Sequence, residues 1–181
     1  MVGFALALAG AACYALSGER LWLFLPGSVL LWVSLILDGA DGVLARVTGQ
    51  ASPRGDYLDH VLDRYSDVAV IVGLTFTPWV PTWLGFAAAL GTLLTSYMGT
   101  QGHAVGLARN YGGLVGRADR IVMLAAVPPL HAALEFWGIR LPYGLTLLSL
   151  ALGWLAIGGN LTAIQRFWWG WRDLGREPPA G

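Results

Sequence analysis

The chain has 181 residues, of which 56% are hydrophobic and 12% are charged, and its net charge is zero. Soluble domains carry about a quarter charged residues, so this composition excludes an ordinary soluble domain and indicates a surface that faces lipid. The zero net charge gives no field that would attract nucleic acid, and the single cysteine, Cys13, excludes an intrachain disulfide.

Six apolar segments, separated by short polar or Pro/Gly breaks, predict six helices. The first three cover 2–16, 21–37 with an extension to 47, and 57–76. The last three cover 82–107, 117–137 with a kink at Pro128-Pro129, and 142–169. About 20 apolar residues cross a bilayer, so we expect an all-α integral membrane protein. Its bundle of six transmembrane helices would form a single domain over 1–181.

The arginines are distributed unevenly between the two ends of this predicted bundle. Only Arg20 and Arg140 lie at one end, and the other arginines lie at the opposite end. Segments rich in arginine stay on the cytoplasmic side of a membrane. We therefore predict a multi-pass protein of the cell membrane with both termini in the cytoplasm.

Four aspartates form two helical pairs at the predicted cytoplasmic end. Asp38 and Asp41 are spaced i, i+3 on the second helix, and Asp59 and Asp63 are spaced i, i+4 on the third. Residues with these spacings share one helix face. A short turn joins the two helices, so we expect the two pairs to face each other.

Such a concentration of carboxylates needs a compensating charge. Like charges repel, and acidic residues within a membrane protein are costly. Mg²⁺ or Mn²⁺ prefers carboxylate oxygens, and two such ions suit transfer at a phosphorus centre. Two neighbouring aspartates have structural interpretations: Asp56 as the N-terminal cap of the third helix, and Asp67 as a partner of Arg64.

Small residues flank the acidic pairs. Gly42 follows Asp41, Ala45 lies one turn later, and Gly55 opens the third helix. Glycine in a membrane helix allows close packing, and here it also leaves room for a flat ligand against the backbone. Arg46 is placed to reach a phosphate.

The spacing Asp38-x2-Asp41-Gly42-x2-Ala45-Arg46-x8-Gly55-x3-Asp59-x3-Asp63 resembles the signature of the CDP-alcohol phosphotransferase family at every position. The resemblance implies a homodimer of six-helix membrane bundles that uses a CDP-linked lipid, either CDP-diacylglycerol or CDP-archaeol. An acceptor alcohol would receive the phosphatidyl-type group, and CMP would be released. In many members an amphipathic helix precedes the first span, and we expect that part of the nucleotide site either to be missing here or to lie outside this stretch of sequence.

The resemblance also implies a role for each residue of the motif. Two divalent ions, Mg²⁺ or Mn²⁺, would be held by Asp38, Asp41, Asp59 and Asp63. The CDP site would be lined by Asp41, Gly42, Ala45, Arg46, Gly55 and Asp59. Asp63 would also act as the catalytic general base on the acceptor hydroxyl, at a site that faces the cytoplasm.

Four arginines near the cytoplasmic ends of the last three helices bear on the acceptor: Arg109, Arg117, Arg120 and Arg166. Arginine clusters bind phosphate in bidentate fashion, so we predict that the acceptor is itself phosphorylated. The stretch 116–120 (GRADR) resembles that of members using inositol phosphate. Three alternatives stay open: arginines that only anchor the protein, glycerol-3-phosphate as acceptor of a phosphatidylglycerophosphate synthase, and a membrane cation or proton transporter.

Overall fold

A computed structural model describes residues 1–49, 52–108 and 112–175, with the side chains at 45, 46, 117 and 118 outside the description. Within these residues the chain forms six α-helices and no strand, which confirms an all-α protein. The helices are α1 (Val2–Leu16), α2 (Phe24–Val47), α3 (Pro53–Thr75), α4 (Thr82–Ala104), α5 (Arg117–Phe136) and α6 (Leu147–Leu174). Short 3-10 turns at Leu21–Leu23 and Pro142–Gly144 precede α2 and α6.

Local signals set where α3 and α6 begin. The Ser52 hydroxyl accepts a hydrogen bond from the Gly55 amide at 3.2 Å, so α3 begins four residues before its apolar run. Asp56 therefore lies within the first turn, and its prediction as the N-terminal cap was wrong. Thr146 caps α6, because its hydroxyl accepts from the Ser149 amide at 3.0 Å.

The helices do not pack in simple chain order. α1 packs against both α2 and α3, while α2 makes its other main contacts with α5. α4 packs against α3 and, most extensively, against α6. The space between the C-terminal part of α2 and the N-terminal part of α3 is thereby left open, with α1 and α5 as its further walls.

The contact between α4 and α6 depends on small and polar residues. A Cβ atom on Gly159 would lie 3.0 Å from the carbonyl carbon of Gly91, so both helices approach through glycine. The Thr95 hydroxyl donates to the Gly159 carbonyl at 2.8 Å, and the Asn160 amide donates to the Ala87 carbonyl at 3.1 Å. Small residues and hydrogen bonds of this kind join helices in membranes, where burial of apolar surface contributes little.

Tyr14 of α1 compensates for a proline in α5. Pro128 has no amide proton, so the Leu124 carbonyl one turn earlier loses its usual helical partner. The buried Tyr14 hydroxyl donates to this carbonyl at 3.0 Å and lies 2.7 Å from the Ser28 hydroxyl of α2. One phenol therefore links α1, α2 and α5.

The outer surface of the bundle is apolar. On α4 the side chains that point away from the core are large and mostly apolar: Trp83, Phe86, Leu90, Leu93 and Tyr97. Continuous apolar surface of this extent is unusual on a soluble monomer. Two of the described helices are long and apolar enough to cross a bilayer, 21–44 and 147–174. Passage of all six helices through the bilayer stays a prediction.

Candidate active site

A cavity of about 390 Å³ opens between α1, α2, α3 and α5. Its polar wall consists of aspartates from α2 and α3: Asp38, Asp41, Asp56, Asp59, Asp63 and Asp67. Its apolar wall consists of side chains such as Leu31 and Leu35 of α2 and Ile121 and Leu124 of α5. One face of the cavity thus suits charged groups and cations, and the other suits hydrocarbon.

Three of the aspartates converge. Asp38, Asp59 and Asp63 each offer one carboxylate oxygen, and these oxygens all lie within 4.8 Å of one another. Asp38 and Asp63 are half-buried, whereas Asp59 is exposed. Oxygens this close fit a divalent cation, since hard cations bind carboxylate oxygens and would remove the repulsion between them.

The fourth predicted ligand, Asp41, is placed differently. It lines the same cavity but does not belong to the group of three whose oxygens lie within 4.8 Å. It follows Asp38 by three residues in α2, so it shares the cavity-facing side of that helix. The structure therefore brings three of the four predicted ligands together and leaves Asp41 at the cavity wall.

The residues expected to contact a nucleotide are partly described. Gly42 and Gly55 line the cavity beside the aspartates, so the backbone is accessible there. Ala45 and Arg46 belong to α2, but their side chains lie outside the description. Sequence reasoning missed Ser52 and Ser66, which also line the cavity. Ser66 follows Asp59 by seven residues and Asp63 by three, so helical periodicity was a usable signal for it.

Two of the predicted acceptor arginines have protein partners. Arg120 is 3% exposed, its Nη2 lies 3.2 Å from Asp67 Oδ2, and its Nη1 donates to the Thr92 carbonyl at 3.4 Å. Arg166 donates from Nε to the Gly112 carbonyl at 3.0 Å and from Nη1 to the Thr95 carbonyl at 2.8 Å.

The remaining arginines differ in how far the structure describes their surroundings. Arg109 lies outside the described residues, and so does the side chain of Arg117. Arg166 borders a second cavity, of about 630 Å³, between the C-terminal ends of α4 and α6. The predicted pair of Asp67 and Arg64 is confirmed, with Arg64 Nη2 3.7 Å from Asp67 Oδ2.

An all-helical protein with carboxylates of two helices around one cavity, beside an apolar wall, has the features of a membrane enzyme that acts on a lipid. The family model described as CDP-alcohol phosphatidyltransferase matches residues 1–165. The chain belongs to this family, and it is a transferase of phospholipid synthesis.

Known relatives are similar over most of the chain. A phosphatidylinositol phosphate synthase of Streptomyces avermitilis is 33% identical over 178 residues, which is 92% of this chain and 68% of the relative. An archaetidylinositol phosphate synthase of Methanothermobacter thermautotrophicus is 30% identical over 174 residues, which is 96% of this chain and 82% of the relative.

A solved structure has the same fold. The phosphatidylinositol phosphate synthase of Mycobacterium tuberculosis, crystallised with manganese and citrate, aligns with a TM-score of 0.75 and 25% identity. The alignment covers 97% of this chain and 83% of that chain. Since the members of the family are membrane enzymes, the protein is assigned to a membrane.

Proposed function

We propose that this enzyme transfers the phosphatidyl-type group of a CDP-linked lipid to a hydroxyl of inositol phosphate and releases CMP. The observation that carries the proposal is the convergence of Asp38, Asp59 and Asp63 on one cavity. The relatives add the acceptor class, because both are named as synthases of inositol phosphate lipids.

The carboxylates would hold Mg²⁺ or Mn²⁺, as two ions. Asp38, Asp59 and Asp63 are the proposed common ligands, and Asp41 is the proposed fourth ligand from the same wall. The related structure from Mycobacterium tuberculosis contains manganese. When bound, the ions would draw negative charge from the diphosphate and so favour departure of CMP.

Asp63 is the proposed general base. An alcohol attacks phosphorus only slowly until a positioned carboxylate takes its proton. In the proposed reaction the acceptor oxygen forms a bond to the β-phosphorus and the bond from that phosphorus to the CMP oxygen breaks. The hydroxyl proton passes to Asp63. Asp63 suits this role because its carboxylate is half-buried at the cavity wall.

The two walls of the cavity would orient the CDP-linked lipid. We place CDP against Asp41, Gly42, Gly55 and Asp59, with Ala45 and Arg46 of the same motif beside it. The lipid tails would leave along the apolar wall formed by α2 and α5. The enzyme from Mycobacterium tuberculosis has also been crystallised with CDP-DAG bound.

The phosphate of the acceptor would lie near the cytoplasmic ends of α4, α5 and α6. Arg109 and Arg117 are its proposed ligands. Within the described part of the chain Arg166 uses Nε and Nη1 for backbone carbonyls, which leaves Nη2 for the phosphate. Arg120 has Asp67 as its partner, so its proposed contribution is indirect.

The same proposal includes the location, the orientation and the oligomeric state of the enzyme. Six helices would cross the cell membrane, the cavity would open to the cytoplasm, and two copies would form a homodimer. The arginine distribution along the chain supports this orientation.

A direct test measures CMP release by the purified protein in Mn²⁺ or Mg²⁺. CDP-diacylglycerol and CDP-archaeol would each be paired with inositol phosphate, free inositol, glycerol-3-phosphate and serine. We expect CMP with inositol phosphate and almost none with free inositol, and EDTA should abolish release. Preferred use of glycerol-3-phosphate would identify a phosphatidylglycerophosphate synthase, and absence of CMP with every acceptor would favour a transporter.

A further inference from the structure

A row of alternating charges extends from Asp63 away from the carboxylate cluster. Arg64 Nη2 lies 3.6 Å from Asp63 Oδ2 and 3.7 Å from Asp67 Oδ2. On the other side of Asp67, Arg120 Nη2 lies 3.2 Å from the same oxygen. The order Asp63, Arg64, Asp67, Arg120 therefore connects the proposed base on α3 with α5.

Both arginines of this row are also attached to α4. Arg64 Nη1 donates to the Ser96 hydroxyl, and Arg120 Nη1 donates to the Thr92 carbonyl at 3.4 Å. Ser96 and Thr92 lie one helical turn apart, so the two arginines contact α4 at successive turns. Three helices thus hold one set of side chains.

The row is buried where it leaves the cavity. The exposed fraction of the side chain is 27% for Arg64, 11% for Asp67 and 4% for Arg120. Charges with so little contact with water require partners, because removal of one partner leaves the other charge uncompensated. Arg120 therefore compensates the buried charge of Asp67. This role differs from contact with the acceptor.

This arrangement bears on the proposed reaction because Arg64 forms an ion pair with the proposed base, Asp63, at 3.6 Å. A carboxylate with one oxygen beside a fixed guanidinium loses freedom to rotate, and Arg64 is fixed by Ser96 and Asp67. A general base must lie within hydrogen-bond reach of the proton that it takes, and displacement of a reacting group by about 1 Å can cost about a hundredfold in rate.

We propose that Arg64 is a positioning residue that aims the Asp63 carboxylate, and that Asp67 and Arg120 support Arg64 from α3 and α5. The proposal rests on the proposed function, because it assigns a role in that reaction. A positioning role predicts that substitution of Arg64 lowers the turnover number while substrate binding and folding are retained. A purely structural role does not predict this combination.

The first experiment compares Arg64→Lys with the wild type, using CMP release with the acceptor that the wild type uses best. Lysine keeps the charge but loses the planar fork that reaches three partners. We expect kcat to fall about 10- to 100-fold, with the KM of both substrates within about twofold and with an unchanged thermal unfolding midpoint. Arg172→Gln is the matched control, since Arg172 is an exposed arginine of α6 outside the cavity, and it should keep full activity.

A milder variant keeps the test decisive if Arg64→Lys does not fold. Ser96→Ala removes only the anchor of Arg64 Nη1 on α4. It should lower kcat several-fold without a change in KM, a smaller loss than in Arg64→Lys because the guanidinium keeps both of its carboxylate partners. A kcat within the error of the wild type in a folded Arg64→Lys or Ser96→Ala protein would overturn the proposal.

A paired neutralisation separates the role of Arg120 from acceptor binding. Asp67→Asn combined with Arg120→Gln removes both charges and so leaves neither uncompensated. We expect a lower kcat with an unchanged acceptor KM. An acceptor KM raised about 10- to 100-fold with normal kcat would show instead that Arg120 binds the acceptor phosphate.

The outcomes for the wild type keep the two proposals apart. If the wild type releases no CMP with any acceptor, the proposed function fails and this positioning role fails with it. If the wild type turns over and Arg64→Lys turns over equally fast, only the positioning role is overturned.

Discussion

Removal of one carboxylate from the cluster of Asp38, Asp59 and Asp63 should change stability in opposite directions with and without metal. The three oxygens lie no more than 4.8 Å apart, and unit charges at that distance repel by about 0.9 kcal/mol in bulk water and about 3.5 kcal/mol at an effective dielectric constant of 20. Asp59 is exposed, so the lower value applies to it. Asp59→Asn removes two of the three repulsions, which amounts to about 2 kcal/mol.

The expected result in EDTA is a more stable variant. A gain of about 2 kcal/mol corresponds to a rise of about 4–8 °C in Tm for a chain of this size. In Mn²⁺ the order should invert. A concentration of a hundred times Kd stabilises the wild type by about 2.7 kcal/mol, and the variant should lose most of that gain because it lacks a ligand.

The assay is thermal unfolding of the purified protein in EDTA and in a series of Mn²⁺ concentrations. Asp173→Asn is the control, since it removes a carboxylate of α6 that does not line the proposed metal cavity. It should show the same metal-induced increase in Tm as the wild type. Equal metal-induced increases in the wild type and Asp59→Asn would refute the argument, and so would a lower Tm of Asp59→Asn in EDTA.

Three further predictions concern the base, the orientation and the helix packing. Asp63→Asn should reduce kcat for CMP release about 10²- to 10⁴-fold, as expected for loss of a general base, while binding of the CDP-lipid persists; retention of wild-type turnover would exclude Asp63 as the base. Reporter fusions after Gly181 should be active in the cytoplasm, and activity only outside the cell would reverse the proposed orientation. Gly159→Val should destabilise the protein by about 1–3 kcal/mol through overpacking against Gly91, whereas Gly153→Val, where a Cβ atom meets nothing within 4 Å, should have a much smaller effect in the same unfolding measurement.

The helices and the acidic cluster could be predicted because both depend on local spacing. Apolar runs gave the six helices, and the i, i+3 and i, i+4 spacings placed the aspartates on the correct faces of α2 and α3. The apolar run predicted for the third helix begins at residue 57, four residues after the observed start of α3 at Pro53. Its first turn is polar and carries a Ser52 cap, so hydrophobicity alone does not reveal it.

The partners of Arg120 and Arg166 could not be predicted because they depend on which helices are neighbours, whereas the local pair of Arg64 and Asp67 was predicted. Asp67 and Arg120 lie on different helices, and their contact at 3.2 Å exists because α3 and α5 pack against each other. The same applies to Arg166, whose backbone partners Thr95 and Gly112 belong to other parts of the chain. The sequence pattern reveals pairs of charges on one helix but not pairs between helices.

The link from Tyr14 to Leu124 has a consequence for how the protein is assembled. The two residues are 110 positions apart, so α1 with Tyr14 is synthesised long before the Leu124 carbonyl that this tyrosine contacts. Until the two meet, the Leu124 carbonyl that Pro128 has released lacks its helical partner, whereas the Tyr14 hydroxyl already has Ser28 of α2 within reach. The cost of an unpaired carbonyl favours a single rotational setting of α5, in which Leu124 faces Tyr14. The same setting fixes which side of α5 becomes a wall of the cavity, so the contact between Tyr14 and Leu124 helps to shape the candidate active site.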